Sequence, residues 1–123
     1  MNRELPRKAW DFLAKDSEPR AVFDTGGVLR AGSDALFRIV GWRREEMTGR
    51  YVWDFVDAES IGETLAVLDH VSLAGGVKDF VNCFRRRDRQ RVWLCWNCGR
   101  ADEYGLLYAT AQWIEAPPKL AVA

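Results

Sequence analysis

Cys95 and Cys98 stand three residues apart, the spacing of thiol pairs that bind metals or carry disulfide redox chemistry. They fall in an apolar run, Arg91 to Cys98, that predicts a β-strand. Residues three apart in a strand point to opposite faces, so without a bulge the two thiols cannot share a metal. There is no second such pair, and the one histidine, His70, is distant. With Cys83 the count is three, which makes no even disulfide framework; all three are expected as buried, reduced thiols, and no metal site is expected. Glu45-Glu46 and Asp57 with Glu59 have the composition of acid–base pairs. They fall at helix starts and on turns, where capping and solvation account for them. No nucleophile–base pair and no glycine-rich phosphate loop is present, so hydrolase and kinase chemistry lack their parts and no enzyme activity is expected.

The densest charge run is Arg85-Arg86-Arg87-Asp88-Arg89-Gln90-Arg91. Arginine binds phosphate well. Strand alternation divides these side chains between two faces, however, and 18 basic against 18 acidic residues leave no net field to gather nucleic acid or anionic lipid. A solvated hairpin tip is expected, with no nucleic-acid partner. The 123 residues suffice for one domain with its own core. The longest apolar runs are strand-sized, so no membrane insertion is expected. Met1-Asn2-Arg3-Glu4-Leu5-Pro6 lacks the apolar stretch of a signal peptide, and the expected location is cytoplasmic.

The elements follow from periodicity and punctuation. Leu5, Ala9, Phe12 and Leu13 predict a helix from Leu5 to Lys15. Arg20 to Asp24 and Val28 to Ala31 predict strands joined by Thr25-Gly26-Gly27. Ser33 predicts an N-cap for a short helix carrying Leu36, Ile39 and Val40, ended by Gly41. Arg43 to Met47 and Trp53 to Val56 predict further helical turns. Asp57 caps a longer helix with Ile61, Leu65, Leu68 and Ser72 on its stripe. Val77 to Arg87, Arg91 to Cys98 and Gly105 to Ile114 predict three strands, the first two joined at Asp88-Arg89. The division is therefore a flanking helix at 1–19, a domain at 20–116 and a tail at 117–123 opened by Pro117-Pro118.

Period-two alternation places Phe80, Asn82 and Phe84 on one face with Val92, Leu94, Trp96 and Cys98. Val81, Cys83, Trp93, Cys95 and Asn97 take the other. Both faces carry large apolar groups, so both need cover. The short helices can cover one. The N-terminal helix, a partner chain, or both must cover the other, because Trp93, Leu106 and Tyr108 would otherwise form an exposed patch.

In order and spacing the chain resembles a PAS domain, of the sensory-box type found in bacterial sensor histidine kinases. Phe23-Asp24-Thr25-Gly26-Gly27-Val28-Leu29 is similar to that family's opening hairpin. Ala35-Leu36-Phe37-Arg38-Ile39-Val40-Gly41-Trp42 is similar to its first core helix, and Arg44-Glu45-Glu46-Met47-Thr48-Gly49 to the segment after it. Phe55-Val56-Asp57-Ala58-Glu59, Asp79-Phe80, Arg87-Asp88, Trp93-Leu94-Cys95-Trp96 and Gly105-Leu106-Leu107-Tyr108-Ala109 complete the match over about 95 residues. Two departures stand out. Asp88-Arg89 replaces the family's usual aspartate-glycine turn, where glycine takes positive φ without cost. Gln112-Trp113-Ile114-Glu115 replaces the aspartate-isoleucine-threonine motif that couples such domains to an output helix, which leaves either a standalone module or one with altered coupling.

The resemblance implies an α+β fold: a PAS-like five-stranded antiparallel sheet, short helices on one face and an N-terminal flanking helix outside. It implies a sensory module that binds a small ligand or partner and modulates an effector, a histidine kinase or cyclic-dinucleotide enzyme, by dimer rearrangement. The alternative is a ligand-free dimerisation or interaction module. No cofactor is expected. Val52 stands where photochemical relatives carry the flavin-reactive cysteine, which excludes that adduct. His70 lies near its helix end, about ten residues beyond the position expected of a haem ligand. An unidentified small organic ligand would occupy a pocket lined by Leu36, Phe37, Val40, Phe80, Asn82, Phe84, Leu94, Trp96, Ala109 and Ala111. Otherwise Asn82 bonds to backbone and the aromatic rings fill the core. A homodimer is expected through Leu5, Ala9, Phe12, Trp93, Leu106 and Tyr108.

Overall fold

A computed structural model of the chain describes residues 4–14, 18–73 and 75–116, the side chains of 72 and 73 excepted. The expected tail at 117–123, the helix end at Lys15 and the place of Ser72 on its stripe lie outside them. One antiparallel sheet runs β2 (Leu29–Gly32), β1 (Arg20–Asp24), β5 (Leu106–Ile114), β4 (Arg91–Cys98), β3 (Val77–Arg85). The central ladder therefore joins the two ends of the domain, from Arg20 opposite Thr110 to Asp24 opposite Leu106. Helices α2 (Asp34–Val40), α3 (Arg44–Met47), a 3-10 turn (Val52–Asp54) and α4 (Ala58–Leu73) lie in sequence between the two hairpins. They cover the inner face. Helix α1 (Arg7–Leu13) docks on the outer one.

Local chemistry sets the boundaries. Asp24 Oδ1 accepts from the amides of Gly26 (2.9 Å) and Val28 (3.0 Å). Val28 is thereby held in the turn, and β2 starts one residue later than the alternation predicts. Ser33 Oγ accepts from the Leu36 amide at 3.3 Å, and Gly41 ends α2 in the left-handed region at φ 73°. The β3–β4 connection, residues 86–90, is a hairpin loop closed at its base. Arg86 N–H donates to Gln90 O at 2.8 Å, and Arg89 N–H to Arg86 O at 2.9 Å. Arg89 carries the positive φ, 70°, that a glycine would take without strain. This closure ends β3 at Arg85 rather than Arg87. Asp102 Oδ1, accepting from the amides of Tyr104 (2.8 Å) and Leu106 (3.0 Å), likewise delays β5 to Leu106.

The arginine run is not simply solvated. Arg85 and Arg91 pair with Asp57, Arg91 also with Glu59, and Arg87 with Glu46. Arg86 donates to Ile39 O at the end of α2. The hairpin is thus fastened to α2, α3 and the start of α4. Asp57 is buried, not on an exposed turn. Burial pushes its pKa up, but the hydrogen bond from Arg85, the Glu59 amide and the Arg91 charge outweigh it and hold the carboxyl below its usual range.

The inner core gathers Phe23, Leu29, Leu36, Phe37, Val40, Phe84, Leu94 and Trp96 with their neighbours. Helix α4 faces it with Ser60, Thr64 and Val71 buried and Val67 partly so. That stripe is one position off the expected Ile61–Leu65–Leu68. Ile61 and Leu68 are half-buried at its edge, and Leu65 is exposed.

Candidate functional site

Between α4 and the inner face lies a cavity of about 50 Å³. Asn82, Phe84 and Phe80 reach it from β3, Trp96 and Cys98 from β4, Leu107 and Ala109 from β5, and Phe23 from β1. Thr64, Val67, Leu68 and Val71 close it from α4, with Val52 from the 3-10 turn. Val77 and Phe80 both line it although they are three apart in β3. A bulge between them permits this, with Asp79 at φ 55° and its amide donating to Asn97 Oδ1 at 3.1 Å.

Its polar wall is a buried relay of hydrogen bonds. Trp96 Nε1–H donates to Asn82 Oδ1 at 2.8 Å, and Asn82 Nδ2–H to Thr64 Oγ1 at 3.1 Å. The Thr64 hydroxyl donates to Ser60 O at 2.7 Å, and Ser60 Oγ accepts from the Cys83 amide at 3.0 Å. An indole nitrogen can only donate, so Trp96 fixes which end of the Asn82 amide is oxygen. Asn82 therefore bonds to side chains on β4 and α4, not to backbone. Trp96 is further set by edge contact with Phe23 at 6.1 Å and a tilted contact with Phe84 at 5.9 Å between ring centres.

Of the ten residues expected to line a pocket, Phe80, Asn82, Phe84, Trp96 and Ala109 meet at this cavity. Leu36, Phe37, Val40, Leu94 and Ala111 do not. They are buried in the solid part of the core instead, where α2 packs on the sheet. The α4 contribution was missed because Ser60 and Thr64 read as polar. Only Val67 and Val71, at helical spacing from them, signal that the stripe faces inward.

The CxxC thiols part as strand geometry requires. Cys98 lines the cavity, and Cys95 lies on the outer face 3.9 Å from Asp79 Oδ1. All three cysteines are free, with Cys83 buried and the other two half-buried. Burial pushes the Cys98 thiol up to about 11, which keeps it protonated and unreactive at neutral pH. Among the described residues no cluster of histidine, cysteine and carboxylate could hold a metal. His70 is exposed on α4 and is not among the residues that line the cavity. Val52 does line it, an aliphatic wall with no nucleophile.

On the outer face, α1 builds a second core. Ala9 and Leu13 are buried against Val22, Ala31 and Leu106, with Leu5, Phe12 and Tyr108 packed around them. Phe12 meets Tyr108 edge-on at 5.3 Å. Lys8 Nζ lies 3.0 Å from Asp102 Oδ2 and also pairs with Glu103, and Tyr108 Oη donates to Asp102 Oδ2 at 2.7 Å. Five of the six residues expected at a dimer interface are thus joined within one chain. Ala9 and Leu106 are almost wholly buried there, because α1 supplies the cover that a partner would otherwise give. Trp93 alone stands apart, half-buried beneath the Arg91 guanidinium.

No family profile matches the sequence, and no curated protein is significantly similar to it. Solved structures match its fold over most of their length. The PAS-B domain of Cycle from Drosophila melanogaster, with bound ethylene glycol, is 14% identical with TM-score 0.69, covering 78% of this chain and 99% of that one. The PAS domain of an HTR-like protein from Haloarcula marismortui is 19% identical with TM-score 0.67, covering 88% and 90%. A domain of a sensory box sensor histidine kinase/response regulator from Geobacter sulfurreducens is 11% identical with TM-score 0.70, covering 86% and 91%. The chain has the PAS fold.

Proposed function

We propose that this PAS-fold chain is the sensory module of a signalling system, in which a small ligand in the inner cavity biases the sheet and the docked α1 between two packings. The observation that supports a ligand is the buried Asn82 amide on the wall of an otherwise apolar cavity, the arrangement of small-molecule sites. The relay from Asn82 through Thr64 and Ser60 to the edge of β3 offers a route by which occupancy alters the sheet. Ethylene glycol bound to the Cycle domain supports small occupants in this fold. The chain itself is proposed to be non-catalytic. Its output is an effector of the histidine-kinase or cyclic-dinucleotide type, reached by rearrangement of a homodimer. The part of the outer face around Trp93 that α1 leaves open is the proposed contact. A cytoplasmic setting accords with three free thiols.

A thermal-shift series tests this with uncharged organic compounds of two to six heavy atoms, on the wild type and on Ala109→Val, which fills the cavity from β5. Saturable stabilisation of the wild type, lost in the variant, is expected. No stabilisation by any compound, together with a mass that doubles with concentration, would leave the ligand-free dimerisation module. A mass that stays monomeric at every concentration removes the dimer.

A further inference from the structure

The cavity's chemistry narrows what it accepts. No charged side chain lines it among the described residues, and an ion placed there would lose its hydration without a partner. Its polar valence is nearly spent. The Trp96 N–H goes to Asn82, the Thr64 hydroxyl proton to Ser60 O, and one Asn82 N–H to Thr64. Among the described residues Asn82 Nδ2 makes one hydrogen bond, to Thr64, which leaves its second N–H to spend, on a residue only 2% exposed. Size is equally restrictive. A cavity near 150 Å³ takes benzene and a single water needs only about 10–15 Å³, so the 50 Å³ here suits a molecule of about two or three heavy atoms. Water alone fits poorly, because it seeks two to four polar partners and these lie at one end only.

Resting on the ligand-sensing proposal, we infer that the cavity selects a short, uncharged organic molecule with one oxygen, of the alcohol and carbonyl class. That oxygen accepts the unspent Asn82 N–H while its carbon end meets Leu68, Val71 and Val77. Half-exposed Leu68, Val77 and Cys98 frame the way in. Three heavy atoms limit affinity to a Kd of about 1 mM or weaker.

Ethanol is the probe, with acetate and ethylammonium as charged counterparts of its size and xenon as the apolar one. The readout is the nitrogen–proton spectrum of the intact chain, followed at the Asn82 side-chain amide and the Trp96 indole. Ethanol is expected to shift both saturably, and the two ions to shift neither. Thr64→Val and Asn82→Ala are expected to alter binding in opposite directions. Valine frees a further Asn82 N–H and tightens ethanol; alanine removes the donor and weakens it at least fivefold. Xenon shifts without ethanol shifts would overturn the oxygen-bearing class and leave a fillable cavity. Equal shifts with acetate or ethylammonium would overturn the neutrality. Silence from both ethanol and xenon overturns this inference and the ligand-sensing proposal together. Should Asn82→Ala fail to fold, the wild-type comparison of ethanol with its charged counterparts decides.

Discussion

Trp96 Nε1 and Asn82 Oδ1 lie 2.8 Å apart across β3 and β4, with both residues more than nine-tenths buried. Both residues line the cavity, and the bond ties the two strands on its polar wall. Asn82→Leu would strand the indole N–H without water. A loss of about 1–3 kcal/mol is expected from urea unfolding. Adding Trp96→Phe should return part of that loss, since removing both partners costs less than orphaning one. Additive losses would mean that the bond contributes nothing.

Asp102 collects four donors: the amides of Tyr104 and Leu106, the Tyr108 hydroxyl and the Lys8 ammonium. Burial pushes its carboxyl up, but these bonds outweigh burial and bring it down to about 2. Burial and the same carboxylate push the Tyr108 phenol up to about 12. A carboxyl depressed in the folded state stabilises above its unfolded pKa, and that stability is lost as pH falls. The Asp102 contribution should therefore be complete above about pH 4 and fade toward pH 2. Urea midpoints of wild type and Asp102→Asn should converge across that window. A gap independent of pH would contradict it.

Arg89 holds φ 70° at the tip of the β3–β4 hairpin, a conformation that costs a side chain about 1 kcal/mol or more. Arg89→Gly removes the strain while exposing more freedom in the unfolded chain. A rise in Tm of about 4 °C or less is expected. A fall would mean that the arginine side chain outweighs its backbone.

Gly27 sits at φ 89°, and a Cβ there would stand 2.5 Å from the Trp53 ring. Trp53 in turn stacks on Tyr51 at 4.5 Å, so the ring has little freedom to withdraw. Gly27→Ala should cost about 1–3 kcal/mol by denaturant unfolding. Gly49, also at positive φ but with open space around it, should cost less when changed to alanine.

The sheet was legible because turn chemistry and alternation agree. Arg20–Asp24 and Arg91–Cys98 fall where periodicity puts them, and Ser33 and Gly41 bracket α2 as residue type predicts. Half the cavity was legible for the same reason, since Asn82, Phe80, Phe84 and Trp96 alternate inward on paired strands. What could not be read was depth. Leu36, Phe37 and Val40 share the inner side with the cavity, but they are packed into the core rather than along it. Nor does a linear pattern reveal that Thr64 will pair with Asn82, because a polar residue on α4 looks solvent-facing until its partner is placed. On the outer face alternation showed that Leu106 and Tyr108 need cover but left the N-terminal helix and a partner chain both open; α1 supplies cover there.

The central claim is that the space beside Asn82 can be filled. Crystals of the chain pressurised with xenon test it most directly, because small dry cavities take up the gas. Electron density for xenon among Leu68, Val71, Phe80 and Trp96, with the Trp96–Asn82 bond intact, is the predicted result. Crystals in which those side chains close on one another and hold no xenon would contradict it.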